Sequence, residues 1–174
     1  MRRLFAAFLP ALLLCGCLGY ELGPHKPKRY KDIKKIAVST FKNRTLEPRL
    51  EVLLANSLIR HLQEDGTYTI VDEKDADAVF EGELDLIDRR PARSVLGNVL
   101  LAREYTLTLR GKYKFYNKKT GALLDSRQMT GATSFFVSGS TAISADVNQD
   151  ERQAIPLAAD TMAASLTNQL TEGF

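Results

Sequence analysis

Arg103-Glu104-Tyr105-Thr106-Leu107-Thr108-Leu109-Arg110-Gly111-Lys112-Tyr113-Lys114-Phe115-Tyr116 decides the fold. Tyr105, Leu107, Leu109, Tyr113 and Phe115 fall on one side of a two-residue repeat. Thr106, Thr108, Arg110, Lys112 and Lys114 fall on the other. Alternation this long specifies a strand in a sheet with one buried face and one wet face. Asn117-Lys118-Lys119-Thr120-Gly121 follows as a hairpin turn, and Leu123 to Thr133 returns as the partner strand. On the N-terminal side, Ala78 to Asp88 is a further long strand. Ala78, Phe80, Gly82, Leu84 and Leu86 share one face; Glu81, Glu83 and Asp85 share the other.

Two helices complete the pattern. Arg49 to Glu64 places Leu50, Leu53, Leu54, Leu58 and Leu62 in one stripe, with Pro48 suited to the first turn and Gly66 to the C-terminal stop. Asp150 to Leu170 places Ile155, Ala159, Met162, Leu166 and Leu170 on one face; Pro156 puts the start of the helix proper near Ile155. Lys35 to Phe41 and Thr67 to Val71 read as strands, the latter either separate from the strand at Ala78 or continuous with it as one bent strand. Arg89 to Leu100 reads as a loop, and Ser134 to Gln149 as a mobile one. The expectation is an α+β two-layer sandwich: a mostly antiparallel sheet of four to five strands with two helices on one face.

Composition narrows function. The chain has 174 residues, 44% apolar and 26% charged, which fits one globular domain with a short appendage. Its 24 basic and 21 acidic residues give a net charge of +3, too small for a nucleic-acid footprint. Two cysteines and two histidines make a zinc site, an iron–sulfur site or a disulfide framework unexpected. No cofactor is expected.

The N-terminus reads as an address. Arg2 and Arg3 precede an apolar run from Leu4 to Leu14, too short for a helix across a bilayer core, which takes about 20 residues. Leu14-Cys15-Gly16-Cys17 resembles the bacterial lipobox, which implies cleavage before Cys17 and lipid, palmitate included, on that cysteine. Leu18 rather than Asp at the next position implies sorting to the outer membrane. Residues 1–16 are thus a signal peptide, 17–31 a lipidated tether and 32–174 one domain. Losing Arg2 and Arg3 leaves 22 basic against 21 acidic residues. The tether holds Lys26, Lys28 and Arg29, which either meet anionic headgroups or belong to a plain spacer.

No catalytic constellation appears. His25 lies in the tether and His61 on a helix; no GxSxG or HExxH motif exists. Glu81, Glu83 and Asp85 could pair with the basic face of Arg110 to Lys114 rather than act as catalytic carboxylates. Arg89, Arg90 and Arg93, with Arg103 just beyond, form the one cluster with a functional look. Guanidinium forks bind phosphates, and the neighbouring Val95, Leu96, Val99, Leu100 and Leu101 suit an amphiphile with an anionic headgroup. The bland alternative is a solvated turn.

Several stretches converge on one family. They are Gly19-Tyr20-Glu21-Leu22, the run Ile36-Ala37-Val38-Ser39-Thr40-Phe41-Lys42-Asn43-Arg44-Thr45-Leu46-Glu47-Pro48, Val71-Asp72 before Asp75-Ala76-Asp77-Ala78, Glu104-Tyr105, and the terminal Thr171-Glu172-Gly173-Phe174. Together they resemble the LPS-assembly lipoproteins of the LptE family. The resemblance implies a non-enzymatic outer-membrane lipoprotein facing the periplasm. It would plug and help assemble the LptD-type translocon β-barrel and bind LPS. Lys35 to Asn43 with Tyr68-Thr69-Ile70-Val71-Asp72 is also similar to the CsgG-like lipoproteins, secretion-pore subunits and peptidoglycan-synthase activators. The C-terminal helix and the small size favour the first family.

Overall fold

A computed structural model describes residues 26–95, 98–137 and 144–172; the side chains of 93–95, 98–103 and 144–149 are left aside. Strands β1 (Lys35–Val38) and β2 (Lys42–Asn43) precede helix α1 (Leu50–Asp65). Then come β3 (Thr69–Ile70), β4 (Ala78–Val95), β5 (Asn98–Asn117), β6 (Leu123–Phe136) and helix α2 (Ser144–Thr171). The sheet order is β3-β1-β4-β5-β6, with β2 also paired to β4. The β4–β5–β6 meander is antiparallel, whereas β1 pairs in parallel with both β3 and β4. The architecture is the expected two-layer α+β sandwich with a mixed, open sheet. β3 and β4 are not one bent strand, because β1 lies between them.

One core lies between sheet and helices. Phe80, Leu84, Leu107, Leu109, Tyr113 and Phe115 come from the sheet; Leu54, Leu58, Met162 and Leu166 come from the helices. Burying a side chain of this size contributes about 1.5–3 kcal/mol. Close packing of the layers depends on Gly131 of β6, where a Cβ would collide with the Ala158 carbonyl and with Met162 of α2. At the end of α1, Gly66 takes φ +73° and its N–H bonds the Leu62 carbonyl at 3.2 Å.

Several sequence expectations are corrected. Arg89 to Leu100 is not a loop: β4 runs through it to Val95, and β5 begins at Asn98. The long β4–β5 pairing supplies the backbone partners that override the turn-forming residues. Within Ser134 to Gln149, β6 continues to Phe136 and α2 already starts at Ser144; residues 138–143 lie outside the described residues. Pro156 sits well inside α2. A proline there forfeits one helical hydrogen bond. The turns before it are nevertheless held to the body by Glu151 and Ala154, both buried. Pro48 stands before the first turn of α1, whose N-cap is Arg49 at φ +65°.

The segment called a tether is folded from residue 28 onward. Lys28–Tyr30 forms a 3-10 turn, and Tyr30 is fully buried, edge-on to Phe115 at 5.3 Å. Lys26 donates to the Ile33 carbonyl at 3.0 Å and lies 4.5 Å from the Tyr68 ring. Cys17 and the lipobox lie outside the described residues.

Candidate functional site

The helix-free face of the sheet is where charge gathers. Glu81 lies opposite Lys114 and Glu83 opposite Lys112 in the β4–β5 register. Lys112 Nζ is 3.4 Å from Glu83 and 3.7 Å from Asp85; Arg44 also pairs with Glu83. Glu83 and Asp85 are therefore neutralised across strands, and Glu81 accepts from the Tyr116 hydroxyl at 3.0 Å.

A bulge then changes what β4 presents. Leu84 pairs with Gly111 and Leu86 with Arg110, so Asp85 is the extra residue. Side chains beyond it swap faces. Leu86, expected in the core, is half-exposed, and Ile87 packs against the core instead. Strand alternation separates Arg89 from Arg90, and the shift decides which face each takes. Arg89 turns to the helix side, and its Nε donates to Glu151 of α2 at 2.6 Å. That hydrogen bond is the chief reason its guanidinium is held above its ordinary pKa. Glu151 is only 7% exposed, so the pair has a structural role. Arg90 turns to the wet face, where its Nε bonds Asp88 at 2.9 Å, and Arg110 approaches the same carboxylate at 3.6 Å.

Arg93 is in register with Glu104, next to Arg103 in sequence. Arg90, Arg93 and Arg103 thus occupy the outer part of one hairpin, and Arg89 is drawn away from them. The Arg93 and Arg103 side chains are outside the described residues. β2 and β6 reach only part of this hairpin: β2 stops opposite Leu84 and β6 opposite Glu104.

A groove beside the bulge escapes a reading by periodicity. About 270 Å³ of space is lined by Arg44, Leu46, Glu47, Leu86, Ile87 and Arg89, among others. Leu46 there is wholly exposed. The legible signal was Leu84-Asp85-Leu86-Ile87, where an apolar doublet interrupts strict alternation.

A second polar cluster closes the other end of the sheet. Asp125, 8% exposed, accepts from the Tyr113 hydroxyl at 2.9 Å. Arg127 and Arg29 lie 3.3 and 3.7 Å from the same carboxylate. The buried Tyr30 hydroxyl is turned toward the same carboxylate. Burial opposes ionisation of Asp125, but the two hydroxyls and the two guanidinium groups outweigh it and hold the carboxyl below its ordinary pKa. Tyr30 is pushed up to about 12, by burial first and then by Asp125. His61 bonds Asp160 at 3.0 Å across the two helices. Among the described residues there is no group of three or more potential metal ligands, and no helix long and apolar enough to cross a membrane.

The family model of LptE, lipopolysaccharide-assembly, matches residues 33–170, nearly all of this fold. The chain belongs to the LptE family. No curated protein matches it in sequence. Solved structures share its fold at low identity. A minor lipoprotein from Acinetobacter baumannii is 20% identical, with 81% of this chain and 92% of that one covered and a TM-score of 0.52. Lipoprotein B from Nitrosomonas europaea is 12% identical, with 90% and 92% covered and a TM-score of 0.53. The PelC dodecamer from Paraburkholderia phytofirmans is 16% identical, with 86% and 95% covered and a TM-score of 0.51. Of the stretches that carry the LptE resemblance, those from Ile36 to Tyr105 fall inside the matched span, and Gly19–Leu22 and Thr171–Phe174 lie outside it.

Proposed function

We propose that this LptE-family chain is an outer-membrane lipoprotein, acylated at Cys17 and facing the periplasm. It occupies the lumen of an LptD-type β-barrel, helps that barrel assemble, and binds LPS on its way to the surface. It acts without catalysis or cofactor, and nucleic acid is no part of its work. Family membership over residues 33–170 is the observation that carries this reading. The helix-free face supports it physically. Its charges alternate in sign and are paired, and such a surface suits contact with the polar interior of a large barrel. A lipid on Cys17 would confine the domain to the membrane plane and raise its effective concentration beside the barrel. Arg90, Arg93 and Arg103 are the LPS-binding candidates, through guanidinium–phosphate pairing; Arg89 has a structural partner and drops from that set.

Depletion of the chain tests the assembly role. The expected result is loss of folded LptD-type barrel from the outer membrane while other barrels stay at their usual level. Unchanged folded barrel would overturn it.

A further inference from the structure

The free edges of this sheet are not alike. β3 is only two residues long. Beyond Asp85, β4 loses its β2 neighbour but carries Pro91, several charges and repeated register shifts. Short length, proline, charge and bulges are the devices that keep an edge from pairing with another chain. β6 carries fewer of them. From Ser126 to Phe136 it pairs with β5 without a register shift, holds no proline or lysine, and its one charge, Arg127, is tied to Asp125 near the start of the strand. Among the described residues, nothing pairs with its outer side. Its helix-free face presents Ser126, Gln128, Thr130, Ala132 and Ser134, all exposed and neutral, and ends on Phe136, 64% exposed.

We propose that the outer edge of β6 accepts one extended segment of a partner protein as an added strand. That segment brings no helix layer of its own. Gly131, near the middle of β6, is what excludes a second copy of this chain. Because α2 rests directly on it, the helix backbone lies over the strand. Two β6 edges paired in a sheet would stand about 4.8 Å apart. Their two α2 helices would then be about that far apart at the crossing, whereas packed helices need about 8–10 Å. A lone strand meets no such obstacle. A helix is about 10–12 Å wide, so α2 overhangs the edge by roughly one strand spacing and would roof the newcomer. The occupant therefore has small or apolar residues toward α2. Toward the wet face it has hydroxyl or amide residues, for pairing with Thr130 and its neighbours, and one large apolar residue over Phe136. The inference does not depend on the barrel reading, because a lumen contact could be made by side chains alone.

The test places a photo-cross-linking residue at Gln128, Thr130 or Ala132 of the full chain in its own cells, with Val52 on α1 as a control position. Cross-linked partner residues are mapped by mass spectrometry. The expected result is that the three β6 positions reach alternate residues of one extended segment in one partner, and Val52 does not. Combining Thr130→Lys and Ala132→Lys, both on the exposed face, should abolish the cross-link from position 128 while the circular dichroism spectrum stays unchanged. Cross-links into a second copy, cross-links without alternate spacing, or none at β6 would overturn the proposal. A mapped segment from a protein other than a β-barrel would leave the edge inference standing and count against the barrel reading.

Discussion

Asp125 shows how a single carboxylate ties three parts of this molecule together. It faces Arg29 and Tyr30 ahead of β1, Tyr113 on β5 and Arg127 on its own strand. Its folded-state pKa lies below the ordinary value, so its contribution to stability is fully present above the unfolded-state pKa, about 3.9. It is lost as pH falls through the lower folded value. Asp125→Asn should therefore cost about 1–3 kcal/mol at neutral pH, with the gap to the parent closing in acid. Urea unfolding at pH 7 and pH 3 checks both size and sign. Arg89 makes a related case. Arg89→Ala strands the buried Glu151 carboxylate, and with the guanidinium itself half in solvent the loss should be about 1–2 kcal/mol. Thermal unfolding of the variant measures it. Gly131→Ala forces a methyl group against the Ala158 carbonyl, and repacking should cost about 1–3 kcal/mol or more.

At the scale of the element, periodicity carried most of what could be foreseen. β5 alternates cleanly from Tyr105 to Phe115, and the structure buries the same side throughout. The Leu stripe of α1 lies in the core as its spacing required. What misled was residue type near the ends. Arg89 to Leu100 holds Pro91 and Gly97, yet the backbone pairs as a hairpin through Val95 and Asn98. Pairing depends on a partner strand far along the chain, which no local window contains. The bulge at Asp85 mattered more for the candidate site. Neighbours on a strand face opposite ways, and the inserted residue decides that Arg89 meets the helices and Arg90 the wet face, so these two arginines do not share one cluster. The hairpin hypothesis makes a graded prediction. Combined Arg90→Ala, Arg93→Ala and Arg103→Ala should weaken binding to purified LPS with little change in melting temperature. Arg89→Ala should do the reverse. Equal loss of LPS binding in both variants would count against the separation of roles.

For the whole molecule, the two-layer body, the family match over residues 33–170 and the two-sided sheet form one argument. One face is buried under α1 and α2; the other carries charges of both signs beside a small buried cluster of Ala37, Ala76 and Val79. The claim that a large outer-membrane barrel encloses this body is tested most directly by purifying the tagged chain from detergent-solubilised outer membranes and identifying what travels with it. The account predicts one stoichiometric partner, an LptD-type β-barrel that stays bound in SDS before heating. A homo-oligomeric ring, or a peptidoglycan synthase in place of the barrel, would contradict it.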